Sequence, residues 1–104
     1  MAQAKIHAGA CGFSTIVTAT PEGRRKVQLK IESECPNIKR LESELTEVDI
    51  NEEYKAKIGA GKVYETFRKY CPHVSCPVTS GVLKAMEVAC GFNLPKDAKI
   101  EVSK

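Results

Sequence analysis

Three of this chain's five cysteines, Cys11, Cys35 and Cys76, fall where one structural element should give way to the next. A thiolate is a soft metal ligand and a nucleophile. Side chains at element ends can be aimed at a common point by a rigid scaffold. Cys11-Gly12 precedes a β-branched run, Cys35-Pro36 follows a second strand pattern, and Cys76-Pro77 opens a long apolar helix pattern. Proline suits the first turn of a helix, so Cys35 and Cys76 should lie near helix N-termini, where unpaired amides and the helix dipole favour a thiolate. Gly12 lets the backbone approach a bound atom closely. The three cysteines are read as one thiolate site.

The elements that must position them follow from periodicity. Residues 5–10 alternate weakly as a short leading strand, with His7 on its surface. Residues 13–20 (Phe13 to Thr20) are rich in β-branched types and read as a strand. Pro21-Glu22-Gly23-Arg24 is a turn, and Val27, Leu29 and Ile31 then alternate with polar neighbours as a half-buried strand. An antiparallel hairpin brings its far ends together, which is the physical reason to join Cys11 and Cys35, 24 positions apart. A helix is expected from Pro36 with Ile38, Leu41 and Leu45 inward. A short helix capped near Asn51 should run to Ile58, and Gly59-Ala60-Gly61 should break it. A further helix over 62–70 buries Val63, Phe67 and Tyr70. The long helix from Pro77 carries Val78, Val82, Leu83, Met86 and Ala89 inward and ends at Gly91. Residues 98–102 (Ala98 to Val102) read as a last short strand. The expected fold is α+β: a small antiparallel sheet of two to four strands, β-hairpin first, packed against about three helices, in a single domain over residues 1–104.

Composition narrows the function. At 104 residues, 42% hydrophobic and 28% charged, the chain is an ordinary globular domain with a core large enough to fold without disulfide staples. The cysteine count is odd, and no apolar signal or membrane-length run is present. These features place it in a reducing cytoplasm, with its cysteines serving metal, redox or sulfur chemistry, or the core. The net charge of +3 is dispersed; Arg24, Arg25 and Lys26 form one tight basic run, at a turn. No basic–aromatic stripe points to nucleic acid, and no Ser/His/Asp set, phosphate loop or carboxylate pair points to a hydrolase or transferase.

The full pattern resembles the U-type iron–sulfur cluster assembly scaffold family (NifU N-terminal, IscU-like domain), as a divergent relative. That family places Cys-Gly before a hairpin, a second cysteine between hairpin and helix, and a third opening a late helix. Ala10-Cys11-Gly12 with 13–34, then Cys35, then Ser75-Cys76-Pro77-Val78 through Met86 match that order over about residues 8–89. The resemblance implies that Cys11, Cys35 and Cys76 hold zinc or an iron–sulfur cluster. It also implies a cysteine desulfurase or cluster-acceptor protein as partner, with a scaffold or carrier role rather than catalysis. His73, three residues before Cys76, is then the candidate fourth ligand, with Cys71 next and Cys90 assigned to the core. Departures from the family are Phe13 in place of an acid, Ser75 in place of a histidine, and Lys69-Tyr70-Cys71-Pro72-His73 in place of a chaperone-recruiting stretch. They favour stable binding over transfer. The chain also resembles a small family of uncharacterised cysteine-containing domains, which lends no activity.

Two other readings stay open. One is a sulfur-relay carrier with Cys76 as a persulfide, which would depend on Cys76 alone. The other is a non-catalytic interaction domain whose cysteines are core, the common fate of free cysteine.

Overall fold

Alternation along two strands organises the molecule. The computed structural model describes residues 1–104. The chain runs β1 (Ala2–His7), β2 (Ser14–Glu22), β3 (Lys26–Ser33), α1 (Pro36–Lys39), β4 (Glu47–Asp49), α2 (Ile50–Lys55), α3 (Lys62–Tyr70) and α4 (Val78–Ala89). The four strands form one sheet in sequence order, each antiparallel to the next. In β2, Thr15, Val17 and Ala19 are buried; in β3, Val27, Leu29, Ile31 and Ser33 are. Registry lines these up in rows: Ile6–Thr15–Ser33, Ala4–Val17–Ile31 and Ala2–Ala19–Leu29. A slip of one residue would turn the whole apolar set to water, so the pattern itself locks the register.

The helices cover this inner face. α4 lies across β1 and β2, α1 rests on β3, α3 packs on α4 and α1, and α2 packs on α4. Val78, Val82, Ala85 and Met86 are the buried stripe of α4 and join Val63, Phe67, Leu41 and Leu45 in one core cluster. The α+β class and the opening hairpin agree with the sequence reading, with all four strands present.

Several expectations are corrected. The helix after Cys35 lasts only four residues. Beyond it the amides of Leu41, Glu42 and Glu44 bond three residues back, to Ile38, Lys39 and Leu41. The chain therefore tightens into turns that keep Leu41 and Leu45 buried without a continued α-helix. Residues 47–49, which carried no strand expectation, form the edge strand β4, with Val48 paired to Val27. The N-cap of α2 is Asp49 rather than Asn51, its carboxylate accepting from the amides of Asn51 and Glu52 at 2.9 and 3.2 Å. α2 stops at Lys55, leaving Ile58 exposed. The strands extend through Pro21 and Glu22 to a tip at residues 23–25. Pro21 is tolerated because β1 no longer flanks β2 there, so its missing N–H leaves no ladder bond unmade. Residues 98–102 form no strand; Ile100 and Val102 are exposed and no partner strand lies beside them. Alternation alone cannot hold a strand without a ladder to join.

Candidate functional site

The site begins with a hydroxyl pair under the open end of the β2–β3 hairpin. Thr15 Oγ1 and Ser33 Oγ lie 2.7 Å apart in the interior, and Ser33 Oγ accepts the amide of Cys35 at 3.0 Å. Glu34, on the other face, accepts the amide of Ser14 at 2.8 Å while its own amide donates to the Ser14 carbonyl at 3.0 Å. These bonds clamp the hairpin end and set Cys35 at its edge. Cys35 is the N-cap residue of α1, without a side-chain capping bond.

Cys11 stands on the loop joining β1 to β2. Ala8 donates to Phe13 and Gly12 to Gly9 across that loop. Gly9 and Gly12 have φ of 93° and 77°, the left-handed region that glycine occupies freely. Cys11 itself is exposed.

The third wall is the segment between α3 and α4. Cys71 is the C-cap of α3, its amide bonded to Phe67 O at 2.7 Å. The end of α3 is tied to the turn after α1 by the Arg40 guanidinium over the Tyr70 ring, 5.2 Å from its centroid, and by Lys69 on Glu44 at 2.5 Å. The connector then folds back so that Cys76 N donates to His73 O at 3.3 Å, with Cys71 Sγ 3.9 Å from the same oxygen.

These walls enclose a cavity of about 250 Å³. Cys11, Cys35, Cys71, His73 and Cys76 all line it, together with Phe13, Thr15, Asn37, Ile38, Val78 and the backbone neighbours Ala8 and Pro36. All four residues expected to converge, Cys11, Cys35, Cys76 and His73, share the one cavity. Cys71, ranked behind His73 in the sequence, is there too. Cys90 lies elsewhere, half-buried against the core at the end of α4, as its distance along the helix implied. Thr15 and Ser33 carried no chemical signal in the sequence beyond their inward alternation.

As the side chains stand, no three of these donors converge closely enough to hold one ion. The expectation that helix starts lower the thiol pKa is corrected for Cys76. Burial pushes this thiol up; the Val78 amide pulls the other way without winning, and the neighbouring Cys71 and Cys35 sulfurs add to the rise. Cys76 precedes Pro77, the N-cap of α4, by one residue. It meets one amide there rather than the whole helix end, which cannot offset the lost hydration.

The chain matches a family of unknown function, DUF6951, over residues 2–102. It belongs to that family. The matched span takes in all five cysteines and every element of the fold. No curated protein matches the chain, and no solved structure does.

Proposed function

We propose that this protein binds a thiophilic metal ion or an iron–sulfur cluster in the junction cavity, through Cys11, Cys35 and Cys76 with His73 beside them. One observation carries this reading: thiols from separate junctions of the fold, and an imidazole, line a single cavity whose walls include no lysine, arginine or carboxylate. Thiolates gathered without a cation repel one another; burial is what chiefly pushes the Cys76 thiol up, and the neighbouring Cys71 and Cys35 sulfurs add to it. A metal supplies the missing positive charge and displaces the protons. Soft sulfur with borderline imidazole suits zinc or iron rather than magnesium or calcium. Thr15, Ser33 and the ties from Arg40 and Lys69 would hold the ligand-bearing ends in place, the supporting role of groups around a metal site.

The order of the cysteines along the chain, similar to that of the U-type scaffolds, supports a cluster over zinc. On that reading a cysteine desulfurase supplies the sulfur and an acceptor protein takes the cluster, in the cytoplasm. Phe13 lines the cavity where those scaffolds carry an acid, which favours retention of the cluster over its release. No helix is long and apolar enough to cross a membrane. The sulfur-relay reading is less well supported, because a persulfide carrier gains from a lowered thiol pKa and that of Cys76 is raised.

The test is anaerobic purification followed by measurement of iron, zinc and acid-labile sulfide per chain with the absorbance spectrum. Iron with sulfide supports the cluster, and zinc alone supports a metal site. Unchanged metal content in Cys11→Ala or Cys35→Ala overturns the assignment. Absence of both metals after reconstitution, with selective reactivity of Cys76, would favour sulfur relay instead.

A further inference from the structure

We infer that Cys71, rather than His73, is the fourth ligand, making the cavity an all-thiolate site of Cys11, Cys35, Cys71 and Cys76. This rests on the metal-site reading above. Cys71 is mounted more firmly than His73. Cys71 ends α3, whose Val63, Thr66 and Phe67 are buried, and its amide closes the last turn on Phe67. Its side chain packs against the core cluster, as do those of Cys35 and Cys76. A ligand on a rigid, packed element loses little freedom when it binds. His73 is exposed in the connector. What it contributes to the fold is its carbonyl, which draws the Cys71 sulfur and the Cys76 amide to within 4 Å of one oxygen.

That shared oxygen fixes the spacing that sequence alone could not supply. Cys71 and Cys76 are five positions apart, looser than the usual zinc-knuckle pair. Folding the connector back on His73 O brings them together on one stretch of chain, in the cavity that Cys35 and Cys11 also line. Three packed thiols and one loop-borne thiol result. A divalent ion entering this set replaces four S–H protons, which leave to solvent, and forms four metal–sulfur bonds.

Zinc alone is the probe, with cobalt as its spectroscopic substitute. Purified apo-protein is alkylated under native conditions with and without zinc, and the protected cysteines are mapped by mass spectrometry. The expected result is zinc-dependent protection of Cys11, Cys35, Cys71 and Cys76, with Cys90 indifferent. In parallel, Cys71→Ser should weaken zinc binding by at least ~10-fold and alter the cobalt spectrum, while His73→Gln stays within about twofold and leaves the spectrum unchanged. Circular dichroism and a Cys71→Ala variant separate ligand loss from misfolding. Protection of only Cys11, Cys35 and Cys76, or a large loss in His73→Gln with none in Cys71→Ser, overturns this inference and leaves the metal site standing. Failure of the wild-type protein to bind zinc, cobalt or a reconstituted cluster overturns the metal-site reading and this inference with it.

Discussion

Thr15 and Ser33 face each other across β2 and β3 with their hydroxyl oxygens 2.7 Å apart, and the same Ser33 oxygen receives the Cys35 amide. A bond inside the sheet is thereby joined directly to a residue of the cavity.

Ser33→Ala should therefore do two things. It leaves the buried Thr15 hydroxyl and the Cys35 amide without their partner, a loss of about 1–3 kcal/mol in urea denaturation. It should also weaken metal binding, since Cys35 loses its anchor. Thr15→Val in the same background should recover the share of the loss due to the orphaned hydroxyl, because that group is then gone too, but neither the share due to the Cys35 amide nor the binding.

Glu53 lies buried in α2 and caps a different helix. Its carboxylate accepts the amides of Lys62 and Val63 at 2.6 and 3.5 Å, at the start of α3, where Gly61 provides no side-chain cap. Burial pushes its pKa above the ordinary 4.5; the two amides pull it down but less strongly, and Glu65 and Glu52 add to the rise. The folded state thus holds this proton more tightly than the unfolded chain. Its contribution to stability is fully present below the ordinary carboxylate pKa and declines as pH rises toward the raised value, after which it is constant. Denaturation midpoints across the carboxylate range should show this decline in the wild type, and it should be reduced in Glu53→Gln. A stability that rises through that window by Glu53's own titration would contradict it.

Gly61, with φ at 95°, is pressed against that carboxylate: a Cβ there would sit 2.7 Å from Glu53 Oε2. Gly61→Ala combines backbone strain with displacement of the cap and should cost about 1–3 kcal/mol. The loss should be smaller in a Glu53→Ala background, measured as a double-mutant cycle.

Gly81 sets how closely α4 approaches β1. A Cβ at this position would overlap the Ile6 side chain. Alanine would gain about 1 kcal/mol of helix propensity, against about 1–3 kcal/mol for overpacking. Net destabilisation is expected for Gly81→Ala alone. With Ile6→Ala the overlap disappears and the helix gain should show, so Gly81→Ala should be less harmful, or stabilising, in that background. Equal effects of Gly81→Ala in both backgrounds would show that this contact does not limit the packing.

Cys90 supplies a control. It packs at the far end of α4, outside the cavity, and burial pushes its thiol up. Cys90→Ala should leave metal content unchanged and lower stability only modestly, since it is half-buried. Metal loss in this variant would redraw the site.

Much of this was legible in the residue order because it rests on local rules. Alternation in 13–33 specified a hairpin and its buried face, and a hairpin must join its own ends, so Cys11 and Cys35 approach whatever else the chain does. The apolar spacing of α4, its proline start and the cysteine before it were equally plain. Other features depended on partners distant in sequence. Apolar spacing after Pro36 cannot distinguish a helix from successive turns, and packing against β3 and α3 chose the turns. Residues 98–102 alternate like a strand, but a strand needs a neighbour and none receives them. The place of Cys71 was hidden because a proline-bounded connector has no periodicity to read. In the folded chain the carbonyl of His73 is reached from both sides, by the Cys71 sulfur and the Cys76 amide, and both cysteines pack on the core. The Cys76 thiol shows the same division: sequence places it beside a helix start, where an amide favours the anion. How much water remains around it, and which sulfurs lie beside it, is a property of the packed tertiary structure, and there burial prevails.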